Sequence, residues 1–275
     1  MGIKILTLLF ALLVSFPDKT PAQSTDKNNK VFDCSAAREF STVYKFLTDK
    51  EELFLKKDKA IELSTYISKG CTGAAARFIR VVFLLLKSGF TGNDATQYGK
   101  ELALKSEQQV DAFIKIFKIS FLRNGLDLDA QSALSIARRF SVDYKGDPEQ
   151  ALADYENIAI YCSDQEALAL PKSHCAEISQ IFALLGEKSK IATAPLFKTG
   201  LEFLTQDSRG PGMTIKEAIK VMRRIMAQTP QAMENFKNVF LFSSTKDGLA
   251  LNRNDAIKVA EKVSANTYWE QDKTD

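Results

Sequence analysis

Apolar and small residues recur along this chain at helical spacing, and they do so in a motif that repeats. Near the end of the chain, Leu249 and Leu251 precede Ala256, Val259, Ala260 and Val263. The alanine and its partners three, four and seven residues on form one narrow face of an amphipathic helix. Identical spacing occurs at Leu126, Leu128, Ala133, Ile136, Ala137 and Phe140, and again at Leu53, Leu55, Ala60, Leu63, Ser64 and Ile67. A further copy is Leu168, Leu170, Cys175, Ile178, Ser179 and Phe182. Two shorter versions lose two residues before the alanine: Gly89, Phe90 and Ala95, and Gly212, Met213, Ile215, Ala218, Val221, Met222 and Ile225.

The residues just before the first apolar position are Glu52, Gly89, Gly125, Ala167, Gly212 and Gly248, separated by 37, 36, 42, 45 and 36 residues. That interval holds two helices and their turns, as in helical-repeat proteins. Bulkier helices fill the remainder. Phe113, Ile116, Phe117, Ser120 and Phe121 make one such face, and Phe236, Val239 and Phe240 another. The bulky helix of each unit is termed A and the alanine-bearing helix B. The glycine is expected to end helix A by accepting a positive φ. The polar residues that follow, such as Asp129 and Asn252 to Asp255, are expected to cap helix B.

The predicted A and B helices pair as 34–47 with 60–68, 74–87 with 95–104, and 107–123 with 130–140. Then come 149–161 with 174–185, 194–205 with 214–228, and a helix starting at Pro230 with 255–265. Glycine and proline are sparse and no segment alternates with period two, so an all-α fold is expected. Its form is an α-solenoid-like array of about six helix-hairpin pairs; a compact multi-helix bundle is the alternative. The longer intervals fall in the middle of the chain, where solenoids place insertions on the binding face. The loops 162–172 and 206–212 are therefore the candidate functional edge.

Composition agrees with a folded domain: 45% hydrophobic and 26% charged over 275 residues. The first residues read differently. Lys4 precedes an apolar run at 5–16, and Thr20-Pro21-Ala22 offers a small residue for cleavage, the pattern of a secretory signal peptide. The expected organisation is a signal peptide at 1–22, a flexible linker at 23–33 and a helical-repeat domain at 34–267. A sub-boundary is expected near 141–148, and a polar tail at 268–275, whose Tyr268 and Trp269 would cap the last unit. The compartment implied is periplasmic or extracellular. After cleavage, 35 basic residues stand against 33 acidic ones, a charge of +2. Near-balance argues against a nucleic-acid partner, and no second apolar segment is long enough to span a membrane.

Four cysteines remain after the signal, and an even number in an exported chain suggests bridges. The expected structural disulfides are Cys34 with Cys71 and Cys162 with Cys175. In an antiparallel pair, the start of the first A helix meets the end of the first B helix. Cys162 closes another A helix, and Cys175 takes the alanine position of its B helix. A metal site fails on spacing, since the chain has one histidine and no C-x-x-C.

Catalytic patterns are lacking. His174 and Cys175 are adjacent on a helix and point about 100° apart, so they do not form a nucleophile–base pair. No nucleophile elbow, P-loop, zincin or dinucleotide fingerprint occurs. The helix–glycine–helix rhythm does not supply an EF-hand: aligned on Gly248, the twelfth position is Asn254, and on Gly125 it is Gln131, where a glutamate is needed. Glu51, Glu52, Glu156 and Glu166 could serve sugar chemistry, but carboxylates are common on solvated helices. Arg138-Arg139 and Arg223-Arg224 occupy equivalent places in units three and five and could form a partial basic ridge along the B helices, but units one and four lack it (Thr65-Tyr66 and Gln180-Ile181), which favours a solubilising outer face. The reading that follows is a non-catalytic binding or scaffold module for a protein, peptide or glycan, with no cofactor. The alternative is a cell-wall or glycan hydrolase using Glu166 or Glu177 on the middle loops.

Overall fold

The computed structural model describes residues 35–50 and 52–266, and these are helical with no strand. Six A/B pairs are present. They are α1 (Ala36–Thr48) with α2 (Lys57–Ser68), α3 (Ala74–Lys87) with α4 (Gly92–Ala103), and α5 (Glu107–Phe121) with α6 (Ala130–Arg138). They continue with α7 (Pro148–Ser163) and α8 (Lys172–Leu184), then, after the single turn α9 (Gly186–Ser189), α10 (Ala194–Thr205) with α11 (Ile215–Met226). Last are α12 (Ala232–Ser244) and α13 (Arg253–Asn266). Every substantial helix contact lies within one pair or between successive pairs. That nearest-neighbour pattern is the mark of a repeat array. The expected signal, the linker, Cys34, Glu51 and the tail with Tyr268 and Trp269 lie outside the described residues.

The B-helix seam is as the spacing predicts. Ala60, Ala95, Ala133, Cys175, Ala218 and Ala256 are each fully buried. Small side chains there let helix A come close, and a larger one would force the pair apart. The residue that begins each B helix stands four positions before this slot: Lys56, Thr91, Asp129, Pro171, Thr214 and Asn252. Where it is polar and short it caps. The Asp129 carboxylate accepts from Ser132 N–H at 2.9 Å, Asn252 Oδ1 accepts from Asp255 N–H at 3.0 Å, and Thr214 forms a capping box with Glu217.

The connection from A to B is one hydrogen-bonded loop used five times, but the glycine does not play the expected part in it. The residue between the two apolar positions takes the left-handed conformation: Phe54, Asp127, Ala169, Gly212 and Ala250, at φ 46 to 54°. Its N–H bonds the carbonyl of the residue that ends helix A (Asp49, Leu122, Asp164, Gln206 and Thr245). The next N–H, from Leu55, Leu128, Leu170, Met213 or Leu251, returns to a carbonyl inside helix A (Leu47, Ser120, Cys162, Leu204 and Ser243) at 2.8–2.9 Å. Gly125 and Gly248 are needed for space. A Cβ on either would lie 2.0 or 1.8 Å from the carbonyl oxygen of Ile119 or Phe242. Gly210 has the same relation to Phe203, at 1.8 Å. Gly210, and not Gly212, is therefore the counterpart of Gly248, and the fifth unit has the full spacing with one extra loop residue. Only the second unit shortens the loop, turning directly on Gly89 at φ 89°.

Helix A carries the bulk. Phe78, Phe113, Tyr155, Phe197 and Phe236 are buried to 0% exposure. Two buried acids also cross between units. The Glu39 carboxylate of α1 accepts from the N–H groups of Gly73 and Ala75 at the start of α3, and Asp154 of α7 accepts from Thr193 and Ala194 at the start of α10. Each satisfies two orphan amides and places negative charge at a helix N-terminus. Tyr155 bonds Ser120 Oγ of α5 at 2.7 Å, and burial pushes its phenol up to about 12. Near 141–148 the chain forms a π-helical turn (Arg139–Asp143), and α5 packs directly on α7 across it.

Candidate binding surface on the B helices

One rule governs how successive B helices meet. Counting from the buried small residue, the sixth position of one B helix faces the fifth position of the next. Tyr66 of α2 lies under the Lys100 ammonium of α4, 4.4 Å from its ring centre. Glu101 of α4 takes a two-pronged contact from the Arg138 guanidinium of α6, at 3.0 and 2.8 Å. Arg224 of α11 pairs with Glu261 of α13. The expected basic ridge is therefore half consumed by the fold, because Arg138 and Arg224 are bound to neighbouring units.

The rule breaks on either side of α8. The slot facing Arg139 is Gln180, and the slot that would meet Arg223 is Ile181. Both arginines are exposed. Among the described residues neither forms an ion pair. Arg139 and Gln180 line a groove with Tyr98, Gln131, Leu134, Ser135, Arg138 and Asp143. The π-helical turn shapes this groove. Its bond from Tyr144 N–H to Arg139 O, 3.0 Å long, spans five residues and turns Arg139 and Asp143 to the same side. Such turns recur at functional sites because they interrupt the helical register.

A second groove runs between α11 and α13, lined by Met213, Glu217, Lys220, Val221, Arg224, Arg253, Ile257 and Glu261. Its mouth holds the end of the loop 206–212, the later of the two expected functional edges, through Pro211 and Gly212. Both grooves lie between neighbouring B helices and have volumes of about 360 Å³. They are shallow surface features in which charged and polar side chains such as Arg139, Gln180, Lys220 and Arg253 stand beside apolar ones such as Leu134, Met213, Val221 and Ile257. The loop 162–172 contributes to neither groove.

The structure brings Cys162 and Cys175 together, as their places in α7 and α8 predict, but as free, fully buried thiols. Cys162 pairs with Cys175 by a side-chain hydrogen bond; that bond and burial push its thiol well above the usual range. Cys175 also donates to Leu170 O, 3.5 Å away. The expected bond is thus not formed, although its partners touch. The packing of α7 on α8 determines proximity, and an oxidant determines bonding. Cys34 lies outside the described residues, so the Cys34–Cys71 pair remains an expectation. His174 is exposed at the start of α8. Glu156, Glu166 and Glu177 are exposed and line neither groove; the Glu166 N–H is tied to the Asp164 carboxylate in a turn. No cluster of three or more metal-ligating side chains occurs among the described residues, and none of their helices is long and apolar enough to cross a membrane.

Comparison of the chain with family models, with curated proteins and with solved structures finds no match.

Proposed function

We propose that this is an exported, non-catalytic binding or scaffold protein that recognises a protein, peptide or glycan partner through the outer surface of its B helices. The observation that carries the reading is the break in the inter-unit ladder at α8. In the ladder itself Arg138 and Arg224 are neutralised by Glu101 and Glu261, while Arg139 stands opposite Gln180 and the slot that would meet Arg223 holds Ile181. A partner bearing carboxylate or other acidic groups would supply the missing charge. The apolar run at 5–16 motivates export, and in an oxidising compartment Cys162 and Cys175 would close into a bridge.

Screening the protein against peptide and glycan arrays tests this. Acidic members should bind, and Arg139→Glu together with Arg223→Glu should abolish binding while leaving the melting temperature within a degree or two, since both side chains are exposed. Arrays and pull-downs that return no ligand of any of the three classes would remove the proposal. So would binding that the double variant leaves unchanged.

A further inference from the structure

At three of the five junctions successive A helices share one aromatic contact, with Leu84 and Ile119 in the leaning place at the other two, and each end of the array holds half of that contact. Seven residues before the carbonyl that receives the loop bond, A helices carry Phe40, Phe78, Phe113, Tyr155, Phe197 and Phe236. The side chain immediately before that carbonyl leans onto the next unit. Phe46 meets Phe78 edge-on at 6.1 Å, and Tyr161 meets Phe197 at 6.3 Å. Phe203 meets Phe240 at 5.8 Å, and Phe240 stacks on Phe236.

Phe242 occupies this leaning place in the last unit. No unit follows it within the described residues, and it stands 59% exposed. Leu249, whose N–H bonds Phe242 O, is 52% exposed beside it, while the corresponding Leu126 inside the array is buried. Ser243 Oγ, buried and without a partner, matches Ser120 Oγ, which bonds Tyr155 of the following unit. The opposite end shows the receiving half. Phe40 and Tyr44 of α1 stack at 5.9 Å with 7° between their planes, as Phe236 and Phe240 do at 6.3 Å and 8°. Phe236 and Phe240 are buried under the preceding unit; Phe40 and Tyr44 are only half-buried, and among the described helices α1 packs chiefly on α2 and α3.

We propose that Phe242 and Leu249 of one copy dock on the Phe40–Tyr44 stack of a second copy, continuing the array head to tail. The contact repeats the one between internal units, so a second copy already has the matching surface. It is heterologous and leaves each end free to recruit another copy. Sedimentation of the purified full chain over a wide concentration range tests it, and mass should rise past the dimer with concentration. Phe242→Asp leaves only the receiving end, and Phe40→Asp only the leaning end. Each variant alone should therefore sediment as a monomer, with association weakened roughly thirtyfold or more. Their equimolar mixture should recover a dimer that grows no further. Phe242→Ser and Phe40→Ser replace these variants if the charge disturbs folding. A wild type that stays monomeric overturns the proposal. So do variants that still associate alone, as association through the apolar run at 5–16 would, and so does a mixture that remains monomeric.

Discussion

Where the fourth unit meets the fifth, the two helix layers behave in opposite ways. On the A side, α7 sends the Asp154 carboxylate beneath the start of α10, where it accepts two buried N–H groups, and Tyr161 packs edge-on against Phe197. On the B side, α8 presents Ile181 in the slot that would meet Arg223 of α11, which is left in water, as Arg139 is where Gln180 of the same helix stands opposite the third unit. The A layer thus joins units through groups removed from solvent, where an unmet partner is costly. The B layer joins them through exposed ion pairs, which solvent screens and which contribute little. A break in the second layer is tolerated because the first holds the array together. Cohesion and surface chemistry are thereby separated, and the B helices can vary without unfolding the protein.

The sharpest way to break this comparison is to cut the A layer. Phe197→Ala should destabilise by about 3–5 kcal/mol in denaturant unfolding, as a fully buried aromatic leaves a cavity. A value near that of a surface change would put cohesion elsewhere. Next in size is a covalent tie between the layers. Oxidised glutathione should convert Cys162 and Cys175 to a disulfide, releasing two molecules of reduced glutathione. Closing so short a loop should stabilise by about 3 kcal/mol, read as a reversible rise in melting temperature that Cys162→Ser removes.

Alkaline titration probes the A layer more gently. The Tyr155 phenol is raised to about 12 by burial, from 10.0 when exposed. Between those values the unfolded chain loses its proton while the folded one keeps it, so stability falls as pH rises. The contribution is present below about pH 10 and lost by about pH 12, on the order of 2 kcal/mol. Tyr155→Phe should flatten that part of the curve, although it leaves Ser120 Oγ without its partner. The smallest effect belongs to the B layer: Arg138→Ala should cost under about 1 kcal/mol despite its two-pronged contact with Glu101. A loss as large as that of Phe197→Ala would mean that the exposed ladder, too, holds the array together.

Much of the architecture was legible in the pattern of residues. The six B-helix alanine slots, the caps at Asp129 and Asn252, and helices 74–87 and 194–205 are found where periodicity places them, because a helical face and its cap are local properties. Other features were hidden. Nothing in Phe54, Ala169 or Ala250 advertises a left-handed residue, and Gly125 and Gly248 look like sources of positive φ when they are in fact clearances for a carbonyl oxygen. Gly210 and Gly212 carry the same ambiguity: spacing singles out Gly212, but the clearance for the Phe203 carbonyl oxygen belongs to Gly210. The π-helical turn at 139–143 also left no trace, since its sequence continues a helical face.

The amino-acid sequence by itself determined an all-helical chain, its division into paired helices and the proximity of Cys162 to Cys175. Each of these follows from periods and intervals shorter than one unit. Only the tertiary structure decided which arginines are neutralised, which acids are buried and which aromatics stand open at the ends. Those outcomes depend on the register between helices some 34 to 42 residues apart, and that register is set by the packing of whole units. No local spacing encodes it.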